Sequence, residues 1–255
     1  MEKTALDARL TRYTFPPPPG KHFPLNIYVL TDEAEMRGLL IDTGFEPQAA
    51  AVAEDLARAG YAVSDVILSH VHDDHFEGLK ALPPVCLHAS PRSQAAIDEH
   101  FGPEERALYT PDDPLCDGSA LAFGASKLRF VEAPGHSPCS VLTVIDERFV
   151  HVGDLLMASA EGVPILPYVA WDDVATHIRS LERLCVAFAG ATLLLGHGPE
   201  IHGEEEIAAA IEHRLCYLRA VARGGGRATY AEAMRDCRGE FLHTEWHATA
   251  PDVVA

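Results

Sequence analysis

Positive charge is scarce in this chain. Lys and Arg number 20 against 38 Asp and Glu, giving a formal charge of −18 over 255 residues. Proteins that grip RNA or DNA need Lys/Arg-rich faces to neutralise phosphates, so nucleic acid is not an expected partner. Long apolar runs are also missing. None reaches the roughly 18 residues needed to cross a bilayer, so no membrane partner is expected. The opening Met1-Glu2-Lys3-Thr4-Ala5-Leu6-Asp7 lacks the apolar core of a secretory leader. The six cysteines, Cys86, Cys116, Cys139, Cys185, Cys216 and Cys237, form no C-x-x-C pair. They read as reduced, mostly buried thiols of a cytoplasmic protein. There is no internal repeat and no low-complexity block beyond one proline run.

What is present is an ordinary globular composition, 47% hydrophobic, with length enough for one large domain or two small ones. One stretch stands out: Ser69-His70-Val71-His72-Asp73-Asp74-His75, directly after the apolar Val66-Ile67-Leu68. It reads H-x-H-x-D-H. In extended backbone residues i and i+2 point the same way, so His70 and His72 can grip one ion. Asp74 and His75 follow where the chain turns into a helix and can serve a second. Imidazole with carboxylate suits zinc, and also copper, iron or nickel.

Further ligand types follow apolar runs beside glycine: His136 in Ala133-Pro134-Gly135-His136-Ser137, Asp154 in Val152-Gly153-Asp154, and His197 in Leu195-Gly196-His197-Gly198-Pro199. Each alone fits a turn residue. As a set at strand ends they support one another. Asp42, ending another apolar run, can orient a metal-bound imidazole or simply stabilise its own turn.

The rest of the pattern alternates strands and helices. Strands are expected over 25–30, 38–41, 63–68, 85–88 and 191–195, with a strand-rich block over 121–132, 140–145 and 149–152. Helices are expected over 47–59, 74–82, 93–100, 174–188, 204–221 and, briefly, 229–237. Residues 103–117 read as loop. Residues 1–24 begin polar and end in Phe15-Pro16-Pro17-Pro18-Pro19-Gly20-Lys21-His22-Phe23-Pro24. That stretch reads equally as a stiff connector or as an apolar loop at a pocket rim. The domain division expected is 1–223 for a catalytic domain and 224–255 for a short extension beyond Gly224-Gly225-Gly226. Apolar stripes on 174–188 and 204–221 are compatible with a homodimer.

In type and order, His70, His72, Asp74, His75, His136, Asp154 and His197 resemble the ligands of the metallo-β-lactamase-fold hydrolases, over roughly residues 25–220. The resemblance implies an α+β fold, a four-layer αββα sandwich with its site at one sheet edge. It implies His70, His72 and His136 on one metal, Asp74, His75 and His197 on the other, and Asp154 between them. The cofactor implied is two Zn²⁺, with iron or manganese as alternatives. The stretch Gly196-His197-Gly198-Pro199-Glu200-Ile201-His202, with His213-Arg214, is similar to the glyoxalase-II-like and β-lactamase-like-protein-2 branch. The residues after 221 read as too few, and not basic, for the winged-helix module of RNA-cleaving members.

The expected activity is hydrolysis of a small carboxylic ester, thioester or lactone by water ionised between two cations. Asp74 would orient that water and pass on its proton. A phosphodiesterase or ribonuclease on the same metals, or an iron-dependent persulfide dioxygenase, are the alternatives. The apolar run 155–171 could floor the substrate pocket with Met157, Val163, Ile165, Leu166, Tyr168 and Trp171. Within it, Tyr168 is the candidate donor to the substrate carbonyl, while Leu155 and Ile165 fit core packing better.

Overall fold

The computed structural model describes residues 1–17 and 23–250. Half of the proline-rich stretch, residues 18–22, lies outside the described residues.

One sheet runs side by side in chain order: β1 (Glu2–Ala5), β2 (Leu10–Phe15), β3 (Leu25–Asp32), β4 (Arg37–Ile41), β5 (Ala62–Ile67), β6 (Cys86–Ala89) and β7 (Asp113–Pro114). It is antiparallel through β4 and parallel from β4 to β7. The parallel part follows from its connections. Helix α1 (Glu46–Arg58) carries the chain from β4 back to the start of β5, and a parallel pair needs such a crossover. Helices α2 (Asp73–Phe76), α3 (Ser93–His100) and α4 (Pro103–Tyr109) follow.

The second sheet contains β8 (Ala120–Phe123), β9 (Ser126–Glu132), β10 (Val141–Ile145), β11 (Phe149–His151), β12 (Thr192–Leu194) and β13 (Ile201–His202), with β13 and β8 at its edges. Helix α5 (Val174–Ala187) crosses from β11 to the parallel β12, and α6 (Gly203–Arg223) and α7 (Tyr230–Ala233) complete the chain's helices among the described residues.

Strand periodicity explains the layers. On β3, Leu25, Ile27 and Val29 face Val52 and Leu56 of α1, while Tyr28 and Leu30 face the other sheet. On β9, Leu128 and Phe130 face inward, whereas Val131 packs beneath α5 and α6 with Leu181, Leu184, Ile207 and Ile211. Each sheet thus buries one face on the other sheet and one on helices. The result is the expected αββα sandwich. The stripes on α5 and α6 are absorbed by this chain's own sheet.

Three expectations are corrected. Residues 1–15 hold β1 and β2, which the alternation of the isolated segment does not reveal; pairing with β3 supplies their order. Residues 103–117 hold α4 and the short β7 rather than loop. Pro103 opens α4, where its missing N–H costs nothing, and Glu104 and Glu105 suit the positive helix end. The helix expected over 74–82 stops after one turn at Phe76 and continues as a 3₁₀ turn, Glu77–Ala81. There Gly78 gives its N–H to Gly44 O at 2.7 Å, and a Cβ on Gly78 would lie 2.5 Å from Thr43 O. Docking onto the Asp42–Gly44 turn displaces regular α geometry.

The cysteine expectation also changes. Cys216 and Cys237 form a disulfide, with Cα atoms 5.7 Å apart. Cys139 alone of the other four is buried; Cys86 and Cys185 are half-buried and Cys116 is exposed. Gly225 and Gly226 both take positive φ and fold the tail back along α6, which brings the two cysteines together. Their separation of 21 residues gives no such hint.

His88 ties three strands together. Its Nε2 donates to Asp65 Oδ1 at 3.0 Å and its Nδ1 to Asp113 Oδ2 at 3.1 Å. Burial opposes charge on this imidazole, but the two carboxylates outweigh burial and raise its pKa above 6.5. A raised folded-state pKa gives stability that is complete below the unfolded value and lost as pH rises through the folded one. Replacing His88 by Gln should cost about 1–3 kcal/mol at pH 6. It should also flatten the fall in melting temperature between pH 6 and 9. Thermal unfolding of the metal-loaded protein across that range checks both.

Candidate metal centre

The loops at one end of the two sheets meet in a buried cluster. After β5 the chain stays extended through His70 and His72, then enters α2, whose first turn presents Asp74 and His75. His136 follows β9 in a turn that only glycine allows. Gly135 has φ +142°, and a Cβ there would lie 2.4 Å from His177 Cα. Asp154 follows β11, and His197 follows β12.

The structure brings all seven of these side chains together. His70 Nε2, His72 Nδ1 and His136 Nε2 form a triangle with sides of 3.0, 3.0 and 3.2 Å. Tetrahedral coordination at 2.0–2.1 Å gives ligand–ligand edges of about 3.3 Å. Beside it, His197 Nε2 lies 3.3 Å from both Asp74 Oδ2 and Asp154 Oδ2, and His75 Nε2 lies 3.4 Å from Asp154 Oδ1. Asp154 Oδ2 is 3.6 Å from His136 Nε2, so this carboxylate stands between the two groups.

Hydrogen bonds on the far side aim the imidazoles. His136 Nδ1 donates to Tyr168 O at 3.0 Å and His197 Nδ1 to Pro24 O at 2.7 Å. His75 Nδ1 donates to Asp42 Oδ2 at 2.8 Å. With the proton held at Nδ1, each Nε2 turns a lone pair to the centre. Asp42 also accepts from Ser69 N and Ser69 Oγ, both at 2.7 Å, fixing the start of the His70–His75 loop. Across the sandwich, Asn26 Nδ2 donates to Leu195 O and Gly198 O, and Tyr28 Oη donates to Leu195 O. These bonds strap the His197 loop of one sheet to β3 of the other.

The electrostatics divide the cluster. Burial, with neighbouring imidazoles, pushes His70 well below its ordinary pKa and His136 down to about 3, so both are neutral lone-pair donors. Burial opposes charge on His197 and His75 too, but Asp154 and Asp74, with Asp42 for His75, outweigh it. His197 rises to about 10 and His75 well above 6.5. That half of the cluster therefore demands positive charge. Protons compete with a cation for it, and metal affinity falls as pH falls.

Two buried atoms test whether cations fit. His75 Nε2 and Asp154 Oδ1 make no hydrogen bond, although both face the centre. Buried polar atoms are rarely left so, and ligation satisfies both. Three converging neutral nitrogens pose the same demand. The donor set of imidazoles and carboxylates suits zinc, iron or manganese.

The cluster forms the base of a cavity of about 770 Å³. Of the run 155–171, Met157 and Tyr168 line that cavity. Tyr168 is half exposed, its ring 6.1 Å from that of His136. Leu155, Ile165 and Leu166 are buried in the core, Val163 is exposed and lines a different groove, and Trp171 lines a neighbouring one. Of the proline-rich stretch, Phe23 lines the cavity, which matches the pocket-rim reading.

Sequence reasoning missed several supports. Ser69, Asn26 and Tyr28 act through contacts distant in sequence, and no local pattern marks them. His151 is fully buried against Tyr28, with Nε2 3.8 Å from Asp42 Oδ2. Trp246, from the tail, also lines the cavity.

The family model described as the metallo-beta-lactamase superfamily matches residues 21–197. A hydroxyacylglutathione hydrolase of Fuscovulum blasticum is 32% identical over 137 residues, covering 53% of this chain and 49% of its own length. Another, from Rhizobium etli, is 26% identical over 185 residues, covering 68% and 66%. The chain thus spans about half the length of the first of these relatives. A metallo-beta-lactamase from Pontibacter korlensis superposes with a TM-score of 0.68 at 19% identity, over 86% of this chain and 98% of its own. A metallo-beta-lactamase family protein from Thermus thermophilus gives 0.62 at 22% identity, over 95% and 93%. At such identities these solved structures speak for the fold.

Gly196 provides a test that leaves every ligand in place. A Cβ there would lie 2.7 Å from Asp154 Oδ1 and 2.9 Å from His75 Cε1. Gly196→Ala should lose at least one bound metal equivalent while keeping its circular dichroism spectrum. Asp42→Ala should weaken metal binding by about 10- to 100-fold, measured by competition with a chelating dye.

Proposed function

The chain belongs to the metallo-β-lactamase superfamily, and we propose that it is a dinuclear metal-dependent hydrolase of a small carboxylic ester, thioester or lactone. The observation that carries this reading is the convergence of His70, His72, His136, Asp74, His75, His197 and Asp154, with His75 Nε2 and Asp154 Oδ1 unsatisfied, at the base of an open cavity. Its hydroxyacylglutathione hydrolase relatives support the hydrolytic class.

His70, His72 and His136 would hold one Zn²⁺ and Asp74, His75 and His197 the other, with Asp154 standing between the two groups. The chemistry that such cations supply is water ionised near neutral pH and a polarised scissile carbonyl. The remaining work falls to the chain. Asp74 is the most open of the carboxylate ligands, with 27% of its side chain exposed toward the cavity. Burial opposes its ionisation, but His75 and His197 outweigh burial and hold its pKa down at about 2. As a carboxylate it accepts a hydrogen bond from the attacking water, turns the oxygen lone pair to the substrate, and receives the proton released. Tyr168, at the cavity wall, donates from its hydroxyl to the substrate carbonyl oxygen.

The scarcity of Lys and Arg disfavours a nuclease. Among the described residues neither lines the cavity above the cluster. Polyphosphate substrates call for such groups.

Protein purified without added metal should carry about two equivalents by elemental analysis, and a screen over lactones, thioesters, phosphodiesters and β-lactams should find carbonyl substrates turned over. Asp154→Ala should lose metal and at least about a thousandfold in kcat/KM. Full activity in metal-free Asp154→Ala refutes the proposal. One iron with no hydrolysis would point to oxidative chemistry instead, and phosphodiesters as the sole substrates would point to the nuclease class.

A further inference from the structure

We infer that the C-terminal segment supplies the substrate-selecting wall of this site, with Trp246 at its centre, and that the wall takes an apolar, uncharged acyl group. This rests on the hydrolase reading and names its substrate class.

Three aromatic rings arch over the cluster. Trp246 meets Tyr168 edge-on at 5.3 Å and Phe23 at 6.1 Å. Tyr168 lies 6.2 Å from His72, and Phe23 lies 4.7 Å from His197. The arch therefore reaches from the three-imidazole group to the carboxylate-rich group, and Trp246 is its keystone. Phe45, Phe76, Ile97 and Phe101 also line the cavity. The acidic side chains lining the cavity are Asp73, Asp74 and Asp154, at the metal end.

The wall is built in place. Leu242 pairs with the 164–166 segment, donating to Pro164 O at 2.9 Å and accepting from Leu166 N at 3.0 Å. Beyond Trp246, His247 bonds Tyr217 Oη and Ala228 O, and Ala248 N donates to Tyr217 Oη. Phe241 and Ala248 are buried, and the Cys216–Cys237 disulfide anchors the segment upstream. So many anchors present Trp246 at little entropic cost to binding.

Charge among the described residues speaks against an anionic acyl or thiol arm. Tyr168 and Trp246 also border a second cavity, of about 640 Å³. Its one Lys or Arg among the described residues, Arg92, is ion-paired with Glu132 at 3.0 Å. Neither cavity offers a spare described guanidinium or ammonium for the carboxylates of glutathione. An aliphatic chain or aromatic ring, by contrast, gains with each methylene buried against the arch.

The test uses the full-length, metal-loaded protein. For 4-nitrophenyl esters from acetate to octanoate, kcat/KM should rise about tenfold for every two methylenes. A glutathione thioester of a short hydroxy acid should be turned over at least tenfold less well than 4-nitrophenyl octanoate. Trp246→Ala should lower the octanoate-to-acetate ratio at least tenfold with metal content unchanged. Trp246→Phe, with the smaller ring, should lower the ratio about two- to threefold, and this milder variant serves if the alanine variant does not fold. Calorimetric binding of octanoate should be lost in parallel, which reads the wall apart from catalysis. Binding that depends on Trp246 without any ester turnover would uphold the wall and fail the hydrolase reading. No chain-length preference, a preference unmoved in both variants, or a glutathione thioester as the better substrate would overturn the inference.

Discussion

The constraint behind this structure is electrostatic. Seven polar side chains are driven into a buried space where several donor atoms stand 3.0–3.6 Å apart. Neutral nitrogens with lone pairs converging, and carboxylates facing them, cannot hold that arrangement in the absence of positive charge. The fold resists their separation from outside. Carbonyls and a carboxylate grip the outer imidazole nitrogens, and Asn26 and Tyr28 bind one sheet's loop to the other sheet's strand. The sandwich geometry exists, at this end, to bring loops of two sheets to one point.

This division explains what could be read from sequence. The His70–His75 stretch was legible because its chemistry is local: three imidazoles and a carboxylate within six positions, right after a strand. His136, Asp154 and His197 were legible only as a set, each beside a glycine at a strand end. The central strands β3, β4, β9 and β10 announced themselves by alternation or by apolar runs. The layers followed from the resemblance, and the alternating burial along β3 and β9 agrees with them.

Other features depend on partners remote in the chain. Strands β1 and β2 take their order from β3, and α4 was hidden in a proline-containing polar segment. The 3₁₀ turn after Phe76 answers the Asp42–Gly44 turn rather than its own sequence. The Cys216–Cys237 bond, the supporting Ser69 and His151, and the position of Trp246 arise from tertiary approach alone. An isolated segment carries no record of such meetings.

The tail that bears Trp246 contributes none of the seven ligands, and its anchors, Tyr217, Ala228 and Pro164, stand apart from them. The seven candidate ligands and Trp246 thus lie in separate passages of the chain. Under the inferred role of that wall, substitutions between Phe241 and Ala248 would alter the diet of the site while all seven ligand side chains stay in place.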